Sequence, residues 1–319
     1  MTPPNPLQLP LFSDRLFDAI LARNSPTVVN LDPVYSSLPP ACQSSQGHST
    51  ESPSAHELPA IGDYCRRVIE IVAPLVPVLK LNIAYFEVYR GAGVDLYFDL
   101  VADARRRGLI VIGDVKRGDV GHTATMYAAA QLADRDSLKC PNAVTISGYF
   151  GWDGVKPFVD IARKQHKGVF VLVRTSNESA ATVQDVQTTD SGRSVHERIG
   201  ALVADWAASS GTIGRHGYSA IGAVAATRNA ADARRLRELM PHSIFLVPGY
   251  GAQGGRAEDF VPYFDGRGLG ALVAAGRSVI FAQENPAYRD HFGEDWAACI
   301  EHACRDFVGD IARVISVAP

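Results

Sequence analysis

Eight short apolar runs recur along this chain, and a helix-forming stretch follows nearly every one of them. The runs cover residues 27–31, 77–82, 108–112, 143–146, 169–173, 220–225, 244–247 and 269–275. They are rich in Val, Ile and Leu and show little polar alternation. That is the pattern of parallel strands covered on both faces. Helical spacing of apolar positions marks 13–23, 63–76, 94–107, 123–131, 153–165, 195–209, 231–239 and 296–315, with Ser13 a candidate cap and Gly108 a candidate stop. Eight βα units in 319 residues predict an α/β fold, a TIM (β/α)8 barrel forming one domain over residues 1–319. A doubly wound open sheet is the alternative, but no GxGxxG follows the first run. Residues 33–61 are polar, rich in Ser and Pro and without hydrophobic period, and read as an insertion loop after the first strand.

Composition narrows the function. A formal net charge of −3 gives no overall basic field for nucleic acid. The five cysteines contain no CxxC pair, which fits a reducing cytoplasm and argues against a disulfide framework or zinc knuckle. The N-terminus lacks the basic start and apolar run of a signal peptide, and no stretch reaches ~18 apolar residues. The expectation is a cytoplasmic protein without nucleic-acid or membrane partners.

The chemistry concentrates after the third run, in Asp114-Val115-Lys116-Arg117-Gly118-Asp119. On extended backbone the two-residue spacing of Asp114 and Lys116 puts both side chains on one face. Surface salt bridges produce the same spacing, so position matters more than pattern. In a TIM barrel, catalytic groups come from the C-terminal ends of the strands. Those ends here supply Asp32, Lys80, Asp114, Lys116, Ser147, Gln253 and Arg277. Lys80 lies inside an apolar run, where an ammonium is costly unless paired, and Asp32 and Asp114 are placed to neutralise it. The last two runs end in glycine-containing turns carrying Gln253 and Gly276-Arg277. Glycine lets backbone N–H groups approach an anion, Arg277 adds a planar fork, and this barrel commonly binds phosphate after strands seven and eight.

These residues resemble the orotidine 5′-phosphate decarboxylase family in its longer bacterial form, over about 27–281. The specific stretches are Asp114-Val115-Lys116-Arg117-Gly118-Asp119-Val120-Gly121-His122-Thr123-Ala124, Leu172-Val173-Arg174-Thr175-Ser176-Asn177 and Val247-Pro248-Gly249-Tyr250-Gly251-Ala252-Gln253-Gly254-Gly255. The resemblance implies loss of CO₂ from orotidine 5′-monophosphate to give UMP in pyrimidine biosynthesis, with no cofactor and no metal. It makes Lys80, Asp114, Lys116 and Asp119 an alternating catalytic network. Asp119 would reach the neighbouring subunit's site, making the active form a homodimer, with Val120 and Thr123 accompanying it. Asp32 would contact the ribose, Ser147 the pyrimidine, and Gln253, Gly276 and Arg277 the phosphate. Two positions depart from the long form: Ser147-Gly148 stands where it often has Asn-Pro, and Leu81-Asn82 where Pro-Gln is usual.

The mechanism so implied is electrostatic. A Lys116 ammonium, held between carboxylates, stabilises charge developing at C6 of the pyrimidine and then protonates it. Two other readings use the same barrel. A metal-dependent decarboxylase of a sugar-phosphate keto acid shares Asp-x-Lys-x-x-Asp, but Lys80 opposes a cation there. A non-catalytic nucleotide-binding barrel would bind without turnover. A Schiff-base aldolase would want an isolated lysine of lowered pKa, which carboxylates around Lys116 disfavour.

Overall fold

In each of the first four strands, every second residue belongs to one packed cluster and the residues between belong to another. Val28, Val78, Ile112 and Ala143 share a cluster with Phe170, Val224, Leu246 and Leu272, while Val29, Leu79, Val111 and Val144 pack with the helices. Period-two alternation of this kind makes one face of each strand a lumen and the other a helix-covered exterior. The molecule is described from a computed structural model covering residues 10–43, 54–134, 137–189, 192–227 and 229–316.

The strands are β1 (Thr27–Leu31), β2 (Val78–Asn82), β3 (Ile110–Arg117), β4 (Ala143–Ser147), β5 (Gly168–Arg174), β6 (Ile221–Ala225), β7 (Phe245–Pro248) and β8 (Ala271–Ala275). All pair in parallel in sequence order, and β1 closes the barrel on β8 through Thr27↔Val273. This is the TIM barrel expected from the eight runs. Its lumen is packed, and the floor is sealed by α1 (Phe12–Arg23), whose Phe12, Leu16, Phe17 and Ile20 join the lumen cluster. Burying each such side chain contributes about 1.5–3 kcal/mol.

The other helices are α2 (Leu58–Val72), α3 (Ala84–Glu87), α4 (Arg90–Arg106), α5 (Gly121–Leu132), α6 (Trp152–Lys164), α7 (Ala181–Gln184), α8 (Val195–Ser209), α9 (Ala230–Leu239), α10 (Arg277–Ile280), α11 (Pro286–Phe292) and α12 (Trp296–Val314). After β7 a 3₁₀ stretch, Ala257–Tyr263, replaces an α-helix.

Several boundaries differ from the sequence expectation. Residues 33–61 are not wholly a polar loop. Tyr35 and Leu38 are buried in the outer core, and α2 already begins at Leu58, so that Ile61 is a fully buried helix residue. Two isolated apolar residues on 3₁₀ turns leave no periodic signal, which is why this anchoring escapes a pattern reading. Residues 44–53 of that stretch lie outside the described residues. Ser13 does not cap α1; the helix starts at Phe12, and Ser13 is buried in its first turn. The third strand continues past Asp114 to Arg117, and its helix opens at Gly121.

Candidate active site

The lumen positions turn from apolar to polar towards the strand C-termini. Val28 is followed on the same face of β1 by Asn30 and Asp32, Val78 on β2 by Lys80 and Asn82, Ile112 on β3 by Asp114, and Ala143 on β4 by Thr145 and Ser147. A charged and hydroxylated layer thus lies directly above a dry core. Lys80 Nζ donates to Asp114 Oδ2 at 2.5 Å, and Lys116 Nζ donates to Asp114 Oδ1 at 2.7 Å. One carboxylate therefore bridges two ammonium groups. The Lys80 and Asp114 side chains are only 8% and 7% exposed, whereas Lys116 is 47% exposed and open to an incoming molecule.

The charge states follow from this geometry. Burial alone would push the Asp114 carboxyl up, but Lys80 and Lys116 outweigh it and hold it well below the usual carboxylate range. Burial would likewise lower the Lys80 ammonium, but Asp32 and Asp114 outweigh it and raise its pKa. Asp32 moves the other way: burial raises its carboxyl and Asp114 adds to that, while Lys80 and Lys116 oppose it. Its Oδ1 is buried with no hydrogen-bond partner among the described residues.

Lys116 does not reach Asp114 by simple strand alternation. Its φ is +43°, in the left-handed region, and the β3–β4 register shifts between Gly113 and Arg117. A bulge of this kind re-aims a side chain at a strand end. The bulge is tied down by Thr145, which the sequence reading passed over. The Lys116 N–H donates to Thr145 Oγ1 at 3.1 Å, and Thr145 Oγ1 donates to Asp114 Oδ1 at 2.7 Å. Its signal was available, because Thr145 occupies the lumen position between Ala143 and Ser147. Tyr85, on α3, is a second residue the sequence reading missed. Its hydroxyl is pushed up by burial and by Asp32, against the pull of Lys80 and Arg277.

Gln253, Gly276 and Arg277, expected to take a phosphate, lie in the segments that follow β7 and β8. Gly276 caps α10, Arg277 is its exposed first residue, and Ser278 Oγ is buried beneath. The turn after β7 has positive φ at Gly249, Gly251 and Gly254, and Gly251 lies so close to Ser278 that a Cβ would come within 2.7 Å of its Oγ. Only glycine fits that approach. Tyr250 in the same turn donates to Asp310 Oδ2 at 2.5 Å and stacks near Phe307 of α12. Gln253 is exposed and lines a cavity of about 600 Å³ with Thr175, Asn177, Thr227 and Tyr263.

Asp119 is not brought to Lys116 within this chain. Its Oδ1 accepts from the Val120 N–H at 2.8 Å, and Thr123 is exposed on the first turn of α5. Ser147 accepts weakly from the Tyr149 N–H at 3.3 Å and packs against Gly118. Around this loop Val120, Met126, Tyr127, Tyr149 and Phe150 are exposed, Tyr149 to 80%.

Residues 55–289 match the Orotidine 5′-phosphate decarboxylase / HUMPS family. The chain belongs to that family. The orotidine 5′-phosphate decarboxylase of Rhodopirellula baltica is 36% identical over 280 residues, covering 87% of this chain and 90% of the relative. That of Caldicellulosiruptor bescii is 33% identical over 285 residues, covering 88% and 92%. A crystal structure of a Streptomyces avermitilis chain assigned the same activity superposes with a TM-score of 0.78 at 29% identity, covering 98% and 99%. Among the described residues no group of three or more His, Cys, Asp or Glu side chains is arranged to hold a metal, and no helix is long and apolar enough to cross a membrane. All five cysteines are free thiols.

Proposed function

We propose that this protein converts orotidine 5′-monophosphate to UMP and CO₂ in cytoplasmic pyrimidine biosynthesis, as a homodimer and without metal or cofactor. The observation that carries the reading is the Lys80–Asp114–Lys116 chain at the barrel mouth, one buried carboxylate bridging two ammonium groups. Family membership supports the reaction, and this chain of ions supports the chemistry.

The C6–carboxylate bond breaks, CO₂ departs, and its electron pair stays on C6. Lys116, half exposed and oriented by Asp114, meets that developing charge with a preorganised ammonium and delivers its proton to C6. It regains a proton from solvent. Asp114 sits near the leaving carboxylate and pairs with both lysines. Lys80 holds Asp114 in place, and an ammonium at this position disfavours a divalent cation in the same space. Gln253, Gly276 and Arg277 take the phosphate, Asp32 the ribose and Ser147 the pyrimidine edge, so that remote binding energy orients the ring over Lys116. The 600 Å³ cavity lined by Gln253 and Thr175 gives the nucleotide room on the side of Gln253; Lys80, Asp114, Lys116 and Arg277 do not line it.

Asp119 and Thr123 complete the site of a second subunit. Two observations support this: among the described residues the Asp119 carboxylate accepts only from the adjacent Val120 N–H, and the apolar residues Val120, Tyr149 and Phe150 near it are exposed.

The test is purified protein with orotidine 5′-monophosphate in excess EDTA, followed by loss of orotate absorbance and appearance of UMP. Turnover supports the proposal. Activity appearing only with Mg²⁺ and a sugar-phosphate keto acid would replace it with the metal-dependent reading. UMP binding without any turnover would make the barrel a nucleotide-binding protein.

A further inference from the structure

The connection from β5 to α8 runs from Thr175 to Ser194, long beside the roughly 2–6 residues usual for a βα loop. It gains little from apolar burial. No residue of α7 is buried, and Val183 and Val186 are exposed. Hydrogen bonds hold it instead, and they converge on two residues at the C-terminal end of β5. Arg174 is buried and grips Asp185 through both edges of its fork, Nε to Oδ1 at 2.9 Å and Nη2 to Oδ2 at 3.2 Å. Its Nη1 donates to the carbonyl of Thr175. The Thr175 N–H donates to Gln184 Oε1 at 2.9 Å, and Gln184 Nε2 returns a bond to Thr175 Oγ1 at 2.8 Å. Thr175 Oγ1 in turn donates to Asn177 Oδ1 at 2.6 Å. The N–H, C=O and hydroxyl of Thr175 are therefore all engaged.

The outer side of α7 is braced as well. His196 Nδ1 lies 2.8 Å from the Gln184 carbonyl and 3.3 Å from Asp185 Oδ1, and Ser194 and Glu197 close a capping box at the start of α8. Bonds thus run without a break from the N-terminus of α8, through Gln184 and Asp185, to Arg174 and Thr175. Arg174 and Thr175 line the 600 Å³ cavity that contains Gln253, while Arg174 and Asp185 also line a polar cavity of about 450 Å³ behind it. Arg174, Thr227 and Asn229 line both.

We propose that Gln184 and Asp185 are positioning residues, which fix Arg174 and Thr175 as the wall of the nucleotide cavity opposite Gln253. The inference rests on the functional reading above, that this cavity receives orotidine 5′-monophosphate. A network holding every polar group of one cavity-lining threonine sets the shape of a binding surface before the ligand arrives.

The experiment compares wild type with Gln184→Ala, Gln184→Glu and Asp185→Asn by steady-state decarboxylation, UMP calorimetry and thermal melting. Gln184→Ala and Asp185→Asn should each raise KM and the UMP Kd by about three- to tenfold, the scale of a lost hydrogen bond. Their kcat should stay within about twofold, the signature of lost binding rather than lost chemistry. Gln184→Glu keeps an acceptor for the Thr175 N–H and should recover most of the loss. A lowered Tm with KM and Kd unchanged in both Gln184→Ala and Asp185→Asn would reduce the strap to a structural tie and overturn the inference alone. Wild-type protein that neither binds UMP nor turns over the substrate would overturn the functional reading, and the inference with it.

Discussion

Thr145 ties Lys116 to Asp114: its hydroxyl accepts from the Lys116 N–H at 3.1 Å and donates to Asp114 Oδ1 at 2.7 Å. The contact couples the unusual backbone of Lys116 to the orientation of the carboxylate that its own ammonium meets. Thr145→Val keeps the shape but strands both partners, the buried Asp114 carboxylate and the part-buried Lys116 N–H. It should lower kcat/KM by roughly ten- to a hundredfold and stability by about 1–3 kcal/mol. Thr145→Ser should restore most of both. Steady-state kinetics and urea unfolding of the two variants check this, and a fully active Thr145→Val would remove the coupling.

Lys116 is half exposed and belongs to no packed cluster, so its removal should spare the fold. Lys116→Ala should lose measurable turnover while its circular dichroism and Tm stay near wild type. Mixing it with Asp119→Ala should recover activity, because a hybrid dimer holds one site with both residues intact. Size-exclusion chromatography showing exchanged dimers, with no activity regained, would count against a shared site.

The buried Lys80–Asp114 pair predicts a window of pH. The Asp114 carboxyl is depressed in the fold, so its contribution is present above the unfolded value of about 4 and is lost as pH falls towards the depressed one. The Lys80 ammonium is raised, so its contribution is full below about 10.4 and is lost as pH climbs through the folded value. Asp114→Asn leaves Lys80 buried without its closest carboxylate. Within that window it should destabilise the protein by about 3–5 kcal/mol. Denaturant unfolding across the pH range should show the difference between the two proteins narrowing at both ends. A pH-independent difference would mean that the pair is not ionised as described.

Arg277 is exposed at the start of α10 and has no structural partner to lose among the described residues. Arg277→Ala should raise KM for orotidine 5′-monophosphate by two orders of magnitude or so, since a charge-assisted pair with phosphate is about twice as strong as a neutral hydrogen bond and the guanidinium can make two. The unphosphorylated nucleoside should show no such dependence on Arg277. Equal losses on both substrates would place the phosphate elsewhere.

Much of this was legible in the chain itself. Eight short apolar runs, nearly every one followed by a helix-forming stretch, pointed to buried parallel strands and favoured the barrel over a doubly wound sheet, and the β1–β8 pairing of the structure closes it. The strand ends named Asp32, Lys80, Asp114 and Lys116, because a charge at the end of an apolar run must have a purpose or a partner. What the tertiary structure decided was how they meet. The left-handed turn at Lys116, the Thr145 brace and the strap from Gln184 and Asp185 to Thr175 and Arg174 join residues separated by as many as 31 positions, and hydrogen bonds of this kind leave no period in a sequence. Tyr35 and Leu38 were hidden for the same reason, since two anchors on irregular backbone repeat nothing. Periodicity reports the burial of regular elements. The geometry of a site is set where the backbone departs from them.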